Sequence, residues 1–244
     1  MTSEPLVAFI DAETTGLDAA AGHEAWEWGL ILRDPVAAPH ERDVEYLWQV
    51  RPDLTRADPL ALSKGGFYRR SRLTACEPGM AELVEGPDSA KVATAAGLAL
   101  LLAPLLDGAV VVGCNPAFDR DFLRPFLRQH GQAYTCHYRP VCVTTMAAGF
   151  LFGQHAGYGI GWNALAHEVR RTAKFHPEWP MNQPKIFEQG EGYSLAPMPH
   201  LPWSSDDVAV SVGIDAGDYD RHTALDDCRF ARDQWDAITG GGHG

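Results

Sequence analysis

Apolar and polar positions follow two periods along this chain, and the switch between them lays out the elements. Residues 6–10, Leu6-Val7-Ala8-Phe9-Ile10, form a short apolar run closed by a turn signal at Thr14-Thr15-Gly16, which predicts a buried strand over 5–13. Further strands are predicted at 25–33 and 43–50; in the first of these Trp26 and Trp28 alternate with Glu27 and read as core packing rather than base stacking. Gly97 to Leu106 reads as the end of a buried helix covering 88–106, Asp107-Gly108 as a turn, and Ala109 to Val112 as a core strand within 109–113. Asn115-Pro116 opens a helix over 116–130, with Asn as a cap and Pro in the first turn, and helices are also predicted at 160–171 and 222–237. Consecutive early strands followed by a strand between helices predict an α/β chain: an antiparallel meander joined to a parallel strand in a mixed β-sheet flanked by helices.

Carboxylates gather at three places in this pattern. Side chains alternate along a strand, so Asp11 and Glu13 share one face at the end of the first strand while Ala12 points away. Two like charges that close are costly unless cations lie between them. Asp119 falls in the first turn of the helix opened by Asn115-Pro116, beside the end of the preceding strand; an Asp there is also favoured by the helix dipole alone. In His222-Thr223-Ala224-Leu225-Asp226-Asp227 the spacing separates two adjacent acids. Thr223 and Asp226 match a capping box, which leaves Asp227 to face inward with Phe230, Ala231 and Gln234. His222 precedes that helix and approaches from the loop. Four acids and one histidine suit a site that holds two divalent cations and hydrolyses a phosphodiester.

These segments resemble the three motifs of the DEDDh (DnaQ-like) 3′-to-5′ exonuclease superfamily, which includes polymerase proofreading subunits, RNase T and oligoribonuclease. Asp11 to Gly16 matches Asp-x-Glu-Thr-Thr-Gly, Asn115 to Asp119 matches Asn-x-x-Phe-Asp, and His222, Ala224 and Asp227 match His-x-Ala-x-x-Asp. The resemblance covers residues 5 to 170 and 218 to 237. It implies an RNase H-like fold, two Mg²⁺ or Mn²⁺ ions held by Asp11, Glu13, Asp119 and Asp227, and His222 as the base that takes the proton of the attacking water. It further implies that Thr14, Thr15 and Leu17 hold the terminal nucleotide, with Asn115 and Phe118 beside it. The substrates implied are single-stranded 3′ ends of DNA or RNA, the products nucleoside 5′-monophosphates, and a DNA polymerase a partner. An RNA-trimming exoribonuclease, or a nucleic-acid-binding or polymerase-binding module that has kept the fold without the chemistry, are the alternative readings. The intact set of five residues argues against the last.

The chain departs from the family pattern at Cys114, where many members carry His, at Val141 to Thr145, where many have Asp-Thr, and in length. About a hundred residues separate Asp119 from His222, and the excess lies in an irregular insertion at 171–220 rich in Pro and aromatics. Phe175, Trp179 or Trp203 there either stack on unpaired bases or pin a loop to the surface.

Composition narrows the setting. At 244 residues and 45% hydrophobic, the chain is long enough for one domain over 1–239 with that insertion, followed by a disordered Gly-rich tail at 240–244. Five cysteines, an odd number without a CxxC pair, argue against a disulfide framework and against structural zinc, and point to a reducing compartment, the cytoplasm. The apolar stretch from Val92 to Val112 approaches membrane-spanning length, but Pro104 and Asp107-Gly108 interrupt it, so no membrane partner is expected. A net charge of -12 disfavours tight duplex binding, which depends on phosphate neutralisation, and favours short unpaired ends. Local basic groups remain at Arg69, Arg70 and Arg72, at Arg120, Arg124 and Arg128, and at Arg170-Arg171.

Overall fold

A computed structural model describes residues 4–153 and 204–240. Strands β1 (Val7–Thr14), β2 (Ala25–Arg33), β3 (Asp43–Val50) and β4 (Ala81–Glu85) form an antiparallel meander. β5 (Val110–Gly113) and β6 (Val141–Cys142) then add in parallel on the other side of β1, giving the order β4-β3-β2-β1-β5-β6. The mixed α/β sheet flanked by helices is the architecture that the motifs imply. β4 and β6 carry no sequence signal strong enough to stand out: Ala81–Glu85 is half polar, and β6 is two residues long.

Helices cover both faces. α3 (Ala95–Leu105) and α4 (Pro116–Gln129) lie against Ile10, Trp28, Leu30 and Trp48, in the larger core. α7 (Ala224–Thr239) covers Phe9, Ile31 and Val112 on the opposite face through Leu225, Cys228 and Ala231. β2 is therefore buried on both sides, which explains why it reads as a nearly unbroken apolar run. Trp26 and Trp28 are fully buried, as expected of core residues; Trp26 belongs to a small satellite cluster under the short helices α1 (Pro59–Lys64) and α2 (Phe67–Arg70). Asp58 as cap and Pro59 at the first helical position start α1.

Several boundaries differ from expectation. The helix expected over 88–106 begins only at Ala95, because Thr94 pairs with Met80 as a strand bridge and its hydroxyl accepts from the Gly97 amide, capping the helix there. The apolar stretch Val92–Val112 is split between α3, a turn and β5, and among the described residues no helix is long and apolar enough to cross a membrane. Helical residues 143–153 (α5) follow β6 directly. Within the insertion, residues 204–220 are not irregular: α6 (Ser205–Ser211) starts where Ser204 accepts from the Asp207 amide. The expected helix at 160–171, the insertion aromatics Phe175, Trp179 and Trp203, and residues 241–244 of the tail lie outside the described residues. Gly240 is the left-handed C-cap of α7, φ 74°, rather than part of a disordered tail.

Candidate active site

The site is built where β1 outruns its parallel neighbour. Pairing of β1 with β5 ends at Phe9, so the Ala12 amide has no partner on that side. Asp119 supplies one, accepting from the Ala12 N–H at 3.0 Å, and this bond draws the first turn of α4 onto β1 between Asp11 and Glu13. Asp119 is 3% exposed, on the same face of α4 as the buried Phe122 and Leu123.

The third segment reaches the same place through a close approach at β2. Asp11 lies opposite Gly29 in the sheet, and a Cβ at Gly29 would stand 2.4 Å from the Ala224 carbonyl, so only glycine lets α7 settle there. The buried Glu27 accepts from the Ala224 amide at 3.1 Å and fixes the helix start; it also accepts from Gln49 at 3.0 Å and from Arg70 at 2.6 Å. Arg70 is thereby an internal counter-ion, not a surface contact for nucleic acid.

His222 is the one non-glycine residue with positive φ among the described residues, at 68°, a conformation that places it before the helix as expected and commonly marks a functional position. Its amide donates to Asp227 at 3.0 Å. The expected capping box is not formed: the Thr223 hydroxyl donates to the Asp220 carbonyl instead, and Asp226 accepts from the Asp220 amide and from Arg229. Asp226 keeps a structural role with different partners, which leaves Asp227 for the cleft.

A cavity of about 260 Å³ is lined by Asp11, Glu13, Asp119, His222 and Asp227 together. Ligand-type atoms of Glu13, His222 and Asp227 lie within 4.8 Å of one another. Thr14, Leu17, Asn115 and Phe118 line the same cavity, with Leu17 80% exposed. Thr15 does not line it; buried behind the turn, its hydroxyl accepts from the Glu24 amide and its own amide donates to the Glu24 carbonyl.

Electrostatics mark the cavity as short of positive charge. Burial at the bottom of the cleft, then repulsion by Asp119, Asp227 and Glu13, pushes Asp11 well above the ordinary carboxylate range. Burial pushes Glu13 up to about 8, against the pull of Arg70 and with the help of Asp227 and Glu27. Asp119 is pushed up to about 8, again mainly by burial, despite the Ala12 hydrogen bond. Burial also raises Asp227, opposed by Arg221. A cluster of hard oxygen donors that is this costly to ionise fits divalent cations, which restore the charged form of every member. Cys114 also lines the cavity, where burial pushes its thiol up to about 12.

Lining residues that escaped the sequence reading include Arg221, Lys64 and Gly65. Arg221 pairs with Asp227, and its signal was adjacency to His222. Lys64 and Gly65, at the end of α1, form the facing wall; the Asp58-Pro59 helix start was the clue to them.

Compared with known proteins, the chain matches no family profile and no curated protein. Solved structures do match. Exonuclease I of E. coli in complex with a dA16 oligonucleotide is similar over 97% of this chain at 15% identity and a TM-score of 0.52. The same enzyme with a 5cy-dA13 oligonucleotide gives 15% identity and a TM-score of 0.51. The fold is similar to that of the matched part of Exonuclease I. The chain spans only 41% of that protein's length, and the likeness at such low identity concerns the fold.

Proposed function

We propose that this chain is a metal-dependent 3′-to-5′ exonuclease that removes nucleotides from the 3′ ends of single-stranded DNA, with residues 1–239 acting as one catalytic domain. The observation that carries the proposal is the convergence of Asp11, Glu13, Asp119, His222 and Asp227, from three distant segments, on one cavity. The similarity in fold to a protein crystallised with oligodeoxynucleotides supports DNA as the substrate.

In this reading Asp11, Glu13, Asp119 and Asp227 hold two Mg²⁺ or Mn²⁺ ions. Such ions supply, when bound, neutralisation of the phosphodiester charge and activation of water. His222, exposed at the mouth beside Glu13 and Asp227, takes the proton of the attacking water. Attack on the last phosphodiester breaks its bond to the 3′ oxygen and releases a nucleoside 5′-monophosphate. Leu17 offers its free apolar surface to the terminal base, with Phe118 and Asn115 on the α4 side. Thr14 shapes the turn between them, its hydroxyl donating to the Gly16 carbonyl at 2.7 Å.

The test is incubation of 5′-labelled single-stranded DNA, duplex DNA and RNA with the protein, in Mg²⁺ or EDTA, beside Asp11→Ala and His222→Ala. The expected result is a ladder of single-nucleotide losses from single-stranded DNA that needs metal and vanishes in Asp11→Ala. Cleavage unchanged in both variants overturns the assignment, and oligonucleotide binding without cleavage of any substrate points to a module that has lost the chemistry.

A further inference from the structure

We propose that the unpaired strand 5′ to the terminal nucleotide leaves the cleft over the α1–α2 surface, stacking a base on Tyr68 and placing its phosphates against Lys64 and Arg69. This rests on the exonuclease reading above and adds to it where the rest of the substrate lies. Four observations carry it. First, the wall of the catalytic cavity formed by Lys64 is also the wall of a second, larger hollow of about 700 Å³, bounded by Tyr68 and Arg69, so the two spaces adjoin across one side chain.

Second, the surface around that hollow exposes large side chains that the fold does not use. Tyr68 is 71% and Leu60 74% exposed, and Leu17 at the cavity mouth is 80% exposed. Phe67 is fully buried beneath Tyr68 and meets it edge-on at 5.1 Å, so the tyrosine ring rests on a fixed base.

Third, the charge is local and outside any ion pair, although Lys64 also pulls on the Glu13 carboxylate. Residues 59–70 carry Lys64, Arg69 and Arg70 and no acid, in a protein of net charge -12. Arg70 and Arg72 are both held in ion pairs, with Glu27 and Glu82, whereas among the described residues Lys64 and Arg69 pair with no carboxylate within hydrogen-bonding range. Other arginines are committed as well: Arg33 to Asp43 and Asp236, Arg229 to Glu45, and Arg120 to Asp121.

Fourth, the two kinds of side chain together match one chemistry. An aromatic face takes any base whose own face is open, and flanking cations take the phosphates on either side of it; bases in a duplex have both faces covered by their neighbours. The surface therefore selects unpaired strands without reading sequence, which agrees with the weak duplex binding expected of an acidic chain.

The test uses the full chain with Mn²⁺ and three substrates: the nitrophenyl ester of thymidine 5′-monophosphate, a dinucleotide, and an oligothymidylate of about ten nucleotides. Tyr68→Ala is expected to raise KM roughly tenfold for the long substrate, the loss of one stacked base, while kcat and the ester reaction stay unchanged. Tyr68→Phe is expected to behave as the parent. Arg69→Glu is expected to raise KM for the long substrate and to flatten its salt dependence. Anisotropy of the labelled oligothymidylate, measured in Asp11→Ala, gives affinity without turnover. Equal KM and equal anisotropy for Tyr68→Ala, Arg69→Glu and the parent overturn the track. A protein that hydrolyses none of the three substrates, yet loses oligonucleotide affinity in Tyr68→Ala, rejects the catalytic reading and retains the track.

Discussion

Arg221 forms an ion pair with Asp227 through its Nε, while its Nη1 holds Asp206 of α6 at 2.8 Å and its guanidinium lies 3.9 Å above the Phe230 ring. One cation thus pairs with the carboxylate that groups with Glu13 and His222 and ties it to the insertion.

A divalent cation at Asp227 competes with that guanidinium. Arg221→Ala is expected to tighten Mn²⁺ binding roughly tenfold, the equivalent of about 1.4 kcal/mol of competing ion pair, and to lower the melting temperature of the metal-free protein. Titration calorimetry and thermal unfolding with and without Mn²⁺ check both. Weaker Mn²⁺ binding would mean instead that Arg221 orients Asp227 for the metal.

Stability of the metal-free protein should fall as pH rises. Glu13 and Asp119 are pushed from 4.5 and 3.8 to about 8. The folded protein therefore keeps protons that the unfolded chain has lost. The resulting stabilisation is full below the unfolded values and disappears as pH rises through about 8. Thermal unfolding in EDTA is expected at lower temperature near pH 8.5 than near pH 5.5, and added Mn²⁺ should help most at the alkaline end, where its ligands are already deprotonated. A flat metal-free profile together with a pH-independent Mn²⁺ effect would contradict this.

Gly65→Ala separates catalysis from folding. The backbone at Gly65 is right-handed, φ -71°, so alanine is tolerated, but its Cβ would stand 2.7 Å from the Glu13 carboxylate and force it aside. Turnover should fall roughly a hundredfold, as for a ligand displaced by about 1 Å, with the melting temperature nearly unchanged. Parent-like turnover would show that Glu13 has room to shift without consequence.

Glu27→Ala should act on the fold first. It strands Arg70, removes the bond to the Ala224 amide and frees Gln49, at a cost of about 3–5 kcal/mol, the usual effect of breaking a buried ion pair. Adding Arg70→Met should recover part of that loss in urea unfolding; purely additive losses would mean that the pair is not coupled.

Much of the candidate cleft was legible in order along the chain. Asp11 and Glu13 declare themselves by strand alternation, and Asp227 by its helical spacing with Phe230, Ala231 and Gln234, all buried as expected. Local signals misled where a tertiary partner outbid them: Thr223 and Asp226 have the spacing of a capping box, yet the Asp220 backbone takes both side chains. Among the basic residues nothing in the sequence separates Arg69 from Arg70, although one faces solvent and the other is half-buried and paired with Glu27.

The sequence by itself determined the period of each main element, the mixed α/β sheet and the five residues of the cleft, because strand and helix periodicity are properties of neighbours in the chain. Only the tertiary structure decided that the Ala12 amide holds Asp119, that Gly29 admits the start of α7, that Arg221 sits on Asp227, and which cations stay free at the cleft's edge. Those depend on groups far apart in sequence, whose desolvation and pairing exist only once the chain has packed.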